Sequence, residues 1–528
     1  MSVGKIRAWL KRLTARFPES DKVTVLRRAL AKRASAVTDA NAPPIAVQCL
    51  EDPFYFGLLA AICLQMRALT GATGELVVVR SISASVGNQW RNRLARSSLL
   101  ISILALQWIR AFRGVADRVA YRSVSLAHPL RDLLDWSLSR SLWRRARVMS
   151  DFSTLRILGV PVGDLIIDSY LRFRPSPRFE ASDAFVARLM WQAHRDVRRA
   201  RAYFRSRKPR LYLTSYSTYI EHGIAVRVAL QEGVPVRSFG SFTQFGKALT
   251  PADWFHTPNT SAYRTLFRSL DGQERRLLQA ERQLSSRLAG QVDIATSYMQ
   301  VSAYAPAYEP VPDVVGATVL FLHDFYDSAH CYDGLVFQDF WDWTCFSIDV
   351  LMGSGRKFFV KPHPNHIALS DEVMTELCAK YPRLPLLSPR VTNVQLAQQG
   401  MLCGVTVYGT VSHELAFLEV PSIACAQHPH HAFDFCRTAT TVEQYRQFLL
   451  TAEYRPISNH EMRRQALEFF YMHNLHRDTD ALSLCSTYAE FWKACHTVNI
   501  DSALMLERFD ELLGSEALQS YSLKVLET

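Results

Sequence analysis

The sequence predicts an α/β protein made of two units, each built on a parallel sheet. The first observation is a strand at Leu211–Thr214, a helix over Thr218–Gln231, the turn Gly233-Val234-Pro235 and a strand at Val236–Phe239. Strand, helix, turn, strand is the rhythm of a βαβ unit, whose strands run parallel. The second is that this alternation restarts at Val314, after a stretch with three prolines between Ala305 and Pro312. The third is size and composition. A chain of 528 residues that is 48% hydrophobic and 21% charged is too long for one ordinary core and too apolar to stay disordered.

Residues 1–45 form a basic segment. Ile6, Trp9, Leu10, Leu13 and Phe17 recur at helical spacing, with Lys5, Arg7, Lys11, Arg12 and Arg16 between them. Such a helix lies either in a membrane interface or against its own domain. Ala42-Pro43-Pro44 breaks the pattern. The first unit, residues 46–305, reads as a helix at Phe56–Leu69, a buried strand at Glu75–Arg80, a helix over Arg91–Phe112 and a strand at Arg118–Tyr121. A long basic helix at Ala184–Arg207, the βαβ unit and a polar helix at Arg264–Ser286 follow. Residues 306–316 read as a linker.

The second unit, residues 317–458, starts with a strand at Thr318–Leu322, a helix at Phe337–Met352, a strand at Lys357–Lys361 and a helix at Asp371–Lys380. Short strands at Leu384–Leu387, Gly404–Val407 and Ser422–Ala426 surround a helix at Ser412–Leu418. Residues 459–528 read as an acidic helical tail. Open parallel sheets bind ligands outside the carboxyl ends of their strands, so two of them facing each other make a ligand cleft.

The net charge of +12 is unevenly spread. Residues 1–300 carry 46 Lys/Arg against 22 Asp/Glu, and residues 301–528 carry 15 against 27. A basic first half implies an anionic partner: a membrane surface, a nucleic acid or a phosphorylated substrate. No nucleic-acid module interleaves these basic residues with aromatics, so nucleic acid is not expected as a partner. The ten cysteines include no Cys-x-x-Cys pair, which fits a reducing, cytoplasmic setting.

Two segments carry most of the chemistry. Lys361-Pro362-His363-Pro364-Asn365 directly follows a strand. Lys361 and His363 offer positive charge and N–H donors to a phosphate there, and Pro362 and Pro364 stiffen the loop. The second runs from Tyr408-Gly409-Thr410-Val411-Ser412-His413-Glu414 to Val420-Pro421-Ser422. Thr410 and Ser412 at a helix start make an anion site, and Glu414 one turn in suits ribose hydroxyls. An ordinary N-cap with a first-turn acid gives the same pattern. A third segment, His323-Asp324-Phe325-Tyr326-Asp327, follows the first strand of the second unit, and His323 and Asp324 are expected to line the cleft. Neither the Asp324/Asp327 pair nor His428-Pro429-His430-His431 has the spacing of a metal site, so no metal or other cofactor is expected.

The strings FVKPHPN and VTVYGTVSHELAFLEVPSI resemble the nucleotide-sugar half of GT-B glycosyltransferases, above all the capsule and surface-polysaccharide transferases of the Kdo and sialic-acid groups with a His-Pro motif. The resemblance implies two Rossmann-like domains with an active site between them and a metal-independent reaction. It implies that Lys361, His363, Pro364, Thr410, Ser412 and Glu414 hold the donor nucleotide. The chain has Glu419-Val420-Pro421 where the family usually has a glycine two before the proline. The resemblance covers residues 315–450.

Transfer of a sugar to a hydroxyl with retention uses a carboxylate nucleophile or front-face assistance, and the sequence does not choose between that course and inversion. Transfer with inversion needs a general base. The candidates are Asp164 and Asp168, four apart in VGDLIID, and Glu221 or His222, early in the helix after the strand Leu211–Thr214. A surface ion-pair ladder and a first-turn acid explain the same residues. The expected function is therefore a glycosyltransferase of bacterial surface-polysaccharide assembly. It would take a CMP- or UDP-sugar and a glycan or glycolipid acceptor, as a peripheral protein at the inner face of the plasma membrane held by the N-terminal basic helix. The alternatives are a sugar-nucleotide epimerase or polyol-phosphate transferase of the same fold, a basic nucleic-acid-binding protein, or an inactive scaffold.

Overall fold

In a computed structural model of the protein, the structure describes residues 21–31, 39, 41–48, 52–78, 115–122, 129–174, 176–241, 244–294, 304, 309–364, 369–427, 429–477, 479–497 and 501–527. The expected basic helix near the N-terminus, the expected helix over Arg91–Phe112, Asn365 and His428 lie outside these residues.

The first sheet holds β1 (Ile45–Gln48), β2 (Gly74–Val78), β3 (Arg118–Arg122), then β6 (Leu211–Thr214), β7 (Val236–Ser241) and β8 (Gln244–Leu249). Between them, β4 (Arg156–Ile157) and β5 (Val160–Pro161) form a small antiparallel hairpin. The order across the first sheet is β3-β2-β1-β6-β7-β8, parallel except for the edge strand β8. That antiparallel strand departs from the all-parallel expectation. Only residues 242–243 separate β7 from β8, too few for a crossover, so the chain reverses as a hairpin.

The second sheet holds β9 (Thr318–Phe321), β10 (Phe358–Lys361), β11 (Cys403–Val405), β12 (Ser422–Ala424) and β13 (Cys436–Thr438), in the order β10-β9-β11-β12-β13 and parallel throughout. The strand expected at Leu384–Leu387 is reduced to one bridge between Val360 and Leu386. Pro385 lies inside it and has no N–H to extend the ladder. The helix expected at Arg264–Ser286 is two helices, Tyr263–Ser269 and Gln273–Leu288, divided at Gly272 with φ +64°. The fold is thus α/β with two parallel-sheet units, as the sequence predicts.

Packing interleaves the chain rather than following its order. Helix Pro53–Thr70 is capped by Asp52, whose carboxylate accepts from the Phe54 and Tyr55 amides, and closed by Gly71 at φ +65°. It is long and apolar enough to cross a membrane. Here it is core: Phe54, Phe56, Leu58 and Ile62 pack with Tyr488, Phe491, Phe509 and Leu518 from the tail helices Thr479–His496, Ser502–Leu513 and Glu516–Glu527. Conversely, Phe267, Leu277 and Leu284 pack with Phe469, Phe470 and Met462 against the second unit at Phe417, Phe433 and Cys436. Glu419, at the position where glycine was the expected residue, adopts φ +64° as helix Val411–Phe417 ends. The left-handed turn is kept although a side chain strains it.

Candidate functional site

Strand order locates a crevice in each sheet. The chain leaves β9 for β10 on one side and returns to β11 on the other, so the direction of winding reverses between β9 and β11. In the first sheet β1, β2 and β3 go one way and β6 lies on the opposite flank of β1, so the reversal falls between β1 and β6. Loops diverge at such points and leave room for a ligand beyond the strand ends.

The crevice of the second unit is a cavity of about 260 Å³. It gathers residues from all three strand ends: His323 after β9, Lys361, His363 and Pro364 after β10, and Thr406, Tyr408 and Thr410 after β11. Glu414, Asn393 and Tyr304 close it from the side. Six of the eight binding residues read from the sequence therefore line one cavity.

Lys361 is its main charged feature. The side chain is buried, lies over the Phe321 ring, and donates from Nζ to the Pro389 carbonyl at 3.1 Å. No carboxylate of the described residues lies within ion-pair distance of it. Burial pulls the ammonium down to about 8, with Glu414 opposing that fall. A buried cation without a paired anion is costly unless an anionic ligand completes it. Glu414 is equally buried, and its Oε1 accepts from Tyr304 Oη at 2.6 Å and its Oε2 from Asn393 Nδ2 at 2.7 Å. Burial raises its carboxyl, against the pull of Tyr304, Arg287, Asn393 and Lys361.

The floor is neutral and rigid. His323 stacks on Phe340 with ring centroids 4.9 Å apart, and its Nε2 lies 3.1 Å from Thr406 Oγ1. Burial lowers its imidazole to about 3, so it meets a ligand as a neutral ring. Thr406 Oγ1 also accepts from the Gly409 amide at 3.1 Å. A Cβ on Gly409 would stand 2.8 Å from that oxygen, so the turn leading to Thr410 needs glycine. Thr410 caps no backbone amide with its side chain, which leaves its hydroxyl for the cavity.

Two residues expected here lie elsewhere. Ser412 is fully buried under the helix, where its Oγ accepts from Cys436 Sγ, and its amide donates to the Gly409 carbonyl. It is not an anion ligand. Asp324 accepts from the Tyr326 amide and from Ser370 Oγ and holds the loop after β9 to helix Leu369–Lys380, which follows β10. The His430 ring sits against His413, Nε2 to Nδ1 3.1 Å apart, and both stack around Phe469.

In the first unit the strand ends bring together Gln48 from β1, Thr214 and Ser215 from β6, and Glu221 and His222 from helix Tyr219–Gln231. Gln48 Oε1 accepts from the Ser215 amide and Thr214 Oγ1, which turns its Nε2 toward His222 Nδ1 at 2.8 Å. His222 Nδ1 is then an acceptor, and the ring proton sits on Nε2, 3.3 Å from Glu221 Oε1. Tyr219 opens this helix at φ +59°, a strained position of a kind found at functional sites. Burial raises the Tyr216 and Tyr219 phenols, and Asp327 from the second unit adds to the rise in both.

The other two base candidates are structural. Asp164 forms a two-pronged ion pair with Arg227, Oδ1 to Nη1 2.7 Å and Oδ2 to Nη2 2.5 Å. Burial works against its charge, but Arg227 outweighs burial and holds the carboxyl below its ordinary range. A carboxylate so fixed does not cycle a proton. Asp168 is fully buried and ties the units together: it accepts from Ser328 Oγ at 2.5 Å and lies 2.8 Å from His330 Nδ1. Its neighbour on that helix, Arg172, donates to the Tyr326 carbonyl across the same seam. Thr406, Tyr408, Asn393 and Gln48 were not read from the sequence as site residues.

The Asp168–His330 contact gives a pH dependence with a fixed sign. Burial lowers the His330 imidazolium, but Asp168, with Asp164 and Asp339 behind it, raises it above its ordinary value overall. Its stabilising charge is present below the unfolded value near 6.5 and is lost as pH rises through the raised folded value. Urea unfolding at pH 6 and pH 9 should therefore show wild type losing on the order of 1 kcal/mol more than His330→Gln over that interval. Equal losses would remove the contact from the stability of the seam.

No family model matches the chain, and no curated protein sequence matches it. Among solved structures it is similar to Thermosulfurimonas dismutans KpsC, a beta Kdo 2,4 transferase, at 15% identity over 50% of this chain and 79% of that one, with a TM-score of 0.28. It is also similar to the UDP-GlcNAc 2-epimerase of Neisseria meningitidis, bound to UDP-GlcNAc, at 10% identity over 92% and 98% of the two chains, TM-score 0.21. The Methanocaldococcus jannaschii UDP-GlcNAc 2-epimerase, in complex with UDP-GlcNAc and UDP, matches at 10% over 80% and 97%, TM-score 0.26. Likenesses this slight carry no residue role across to this chain.

Proposed function

We propose that the protein is a glycosyltransferase that takes a sugar from a CMP- or UDP-sugar and passes it to a glycan or glycolipid acceptor in surface-polysaccharide assembly. One observation carries the reading: a buried lysine, Lys361, without an ion-pair partner among the described residues, stands in a cavity at the second reversal point. A phosphate completes such a site. His363 and Thr410 supply further donors, and Glu414 accepts from a ribose hydroxyl.

In this reading the acceptor oxygen bonds to the anomeric carbon as the sugar–phosphate bond breaks, CMP or UDP leaves, and Lys361 meets the charge that develops on its departing phosphate oxygen. The acceptor hydroxyl approaches from the first unit, where Glu221 takes its proton and His222 holds Glu221 in place. The nine cysteines among the described residues are all free, which suits a reducing cytoplasm.

A thermal-melting panel with UDP, CMP, GDP and CDP tests the donor site. One pyrimidine nucleotide should stabilise wild type, by about 2.7 kcal/mol at a hundredfold excess over its dissociation constant. His363→Ala should lose that shift. No stabilisation by any of the four would overturn the reading.

A further inference from the structure

Helix Pro129–Ala146 is built inside out. Its buried face is acidic: Asp132 and Asp135 point into the protein, where Asp132 meets Arg195 and Arg199 at 3.2 and 2.9 Å. Asp135 meets Arg198 at 2.6 Å and His194 at 3.1 Å. All four partners lie on helix Ala184–Arg207. Of its five leucines, Leu142 packs inward near the helix end, and the other four point outward: Leu130 is 80% exposed, Leu133 61%, Leu134 60% and Leu138 52%. Their positions are spaced three and four apart, which makes one continuous stripe on a helix. Trp136 is exposed beside the stripe, and Val148 and Met149 extend the apolar surface past the helix end.

The charge around that stripe has one sign. Arg131, Arg140, Arg144, Arg145 and Arg147 are exposed, and the only acids between residues 129 and 149 are the two that face inward. Ordinary surface helices expose their charges and bury their leucines, so this helix is arranged for a partner that takes both apolar and basic groups. A second copy would bring five arginines against five. The chain segments outside the described residues are no better suited: residues 1–20 hold five Lys/Arg against one acid, and residues 79–114 hold six arginines and no acid. An anionic bilayer takes both, with arginines among the head groups, the tryptophan at the interface and leucines beneath.

We propose that the outward face of helix Pro129–Ala146 docks the protein onto a lipid surface carrying anionic head groups. This goes beyond the transferase reading and holds whatever reaction the cavity performs. It also places a membrane contact on the folded first unit rather than on the N-terminal segment.

The test is flotation of the full chain with vesicles of phosphatidylcholine and phosphatidylglycerol in a two-to-one ratio, and with phosphatidylcholine alone. Wild type should float with the anionic vesicles and not with the neutral ones. Leu133→Glu with Leu134→Glu should weaken binding at least about tenfold. Arg140→Gln with Arg144→Gln should weaken it by about fivefold for each arginine removed. All these positions are exposed, so the unfolding midpoints should not move. In wild type, amide exchange over residues 129–149 should slow on anionic vesicles only. Undiminished flotation of the leucine variant would overturn the proposal. So would a wild-type dimer that the same variant dissociates, which would give the face to a second copy.

Discussion

Lys361→Met is expected to remove transfer while making the empty protein more stable. The substitution keeps the side chain's length and apolar stem but deletes the charge. With no cation facing the leaving phosphate, kcat/KM should fall by about 10²- to 10³-fold, the usual cost of deleting a placed donor. Stability moves the other way. Burial holds the Lys361 ammonium at about 8, well below an ordinary lysine near 10.5. Below pH 8 the folded state carries that penalty in full, worth on the order of 3 kcal/mol by linkage. Methionine has no such penalty, so the unliganded variant should melt higher at pH 7. Nucleotide binding by wild type should weaken as pH rises through about 8, because the lysine must be charged to hold phosphate. A variant that melts lower, yet still shows the nucleotide shift, would mean that Lys361 serves the fold and not a ligand.

Much of this site is legible in the sequence because a parallel sheet puts its chemistry at strand ends. Lys361 and His363 follow β10 directly, and His323 follows β9, so finding the strands finds the residues. What stays hidden depends on direction. Ser412 and Glu414 are two residues apart on one short helix, about 200° around its axis. One faces the sheet and the other the cavity, and the motif alone does not say which. Asp164 and Asp168 look like a matched pair, but their partners, Arg227 and His330, lie 63 and 162 residues away along the chain. Thr406 and Asn393 are ordinary polar residues until the fold brings them to His323 and Glu414.

The fold follows the same division. Local periodicity and turn residues give most strands of the two sheets but not β1, β8 or β13, and they miss the helices Pro129–Ala146 and Gly163–Phe173. Long-range pairing is what they cannot give: the tail helices that cover Pro53–Thr70, or the helix Gln273–Leu288 that crosses to pack with Asn459–Phe470. Helix Pro129–Ala146 was not read from the sequence, and by periodicity alone its outward stripe of leucines would pass for a core face. Only the arginines of helix Ala184–Arg207, which hold its acids inside, turn it over.

Glu221→Gln is expected to leave the structure intact and to lower kcat by about 10²- to 10⁴-fold, the range for loss of a general base. The network around His222 explains the choice of atom. The Ser215 amide fixes the orientation of Gln48, Gln48 occupies His222 Nδ1, and His222 Nε2 lies 3.3 Å from Glu221 Oε1. His222 Nδ1 is therefore occupied and cannot take a proton from an acceptor, which makes the Glu221 carboxylate the base of this crevice. A glutamine in its place keeps the shape of the side chain but cannot accept a proton from the acceptor. The nucleotide-induced melting shift should survive in this variant, since the donor cavity lies in the other unit. His222→Asn should lower kcat less than Glu221→Gln does, because it loosens the base without deleting it. Full kcat in Glu221→Gln would move the base out of the first unit's crevice. The next group to replace would then be Asp327, the carboxylate that faces Tyr216 and Tyr219 from the second unit.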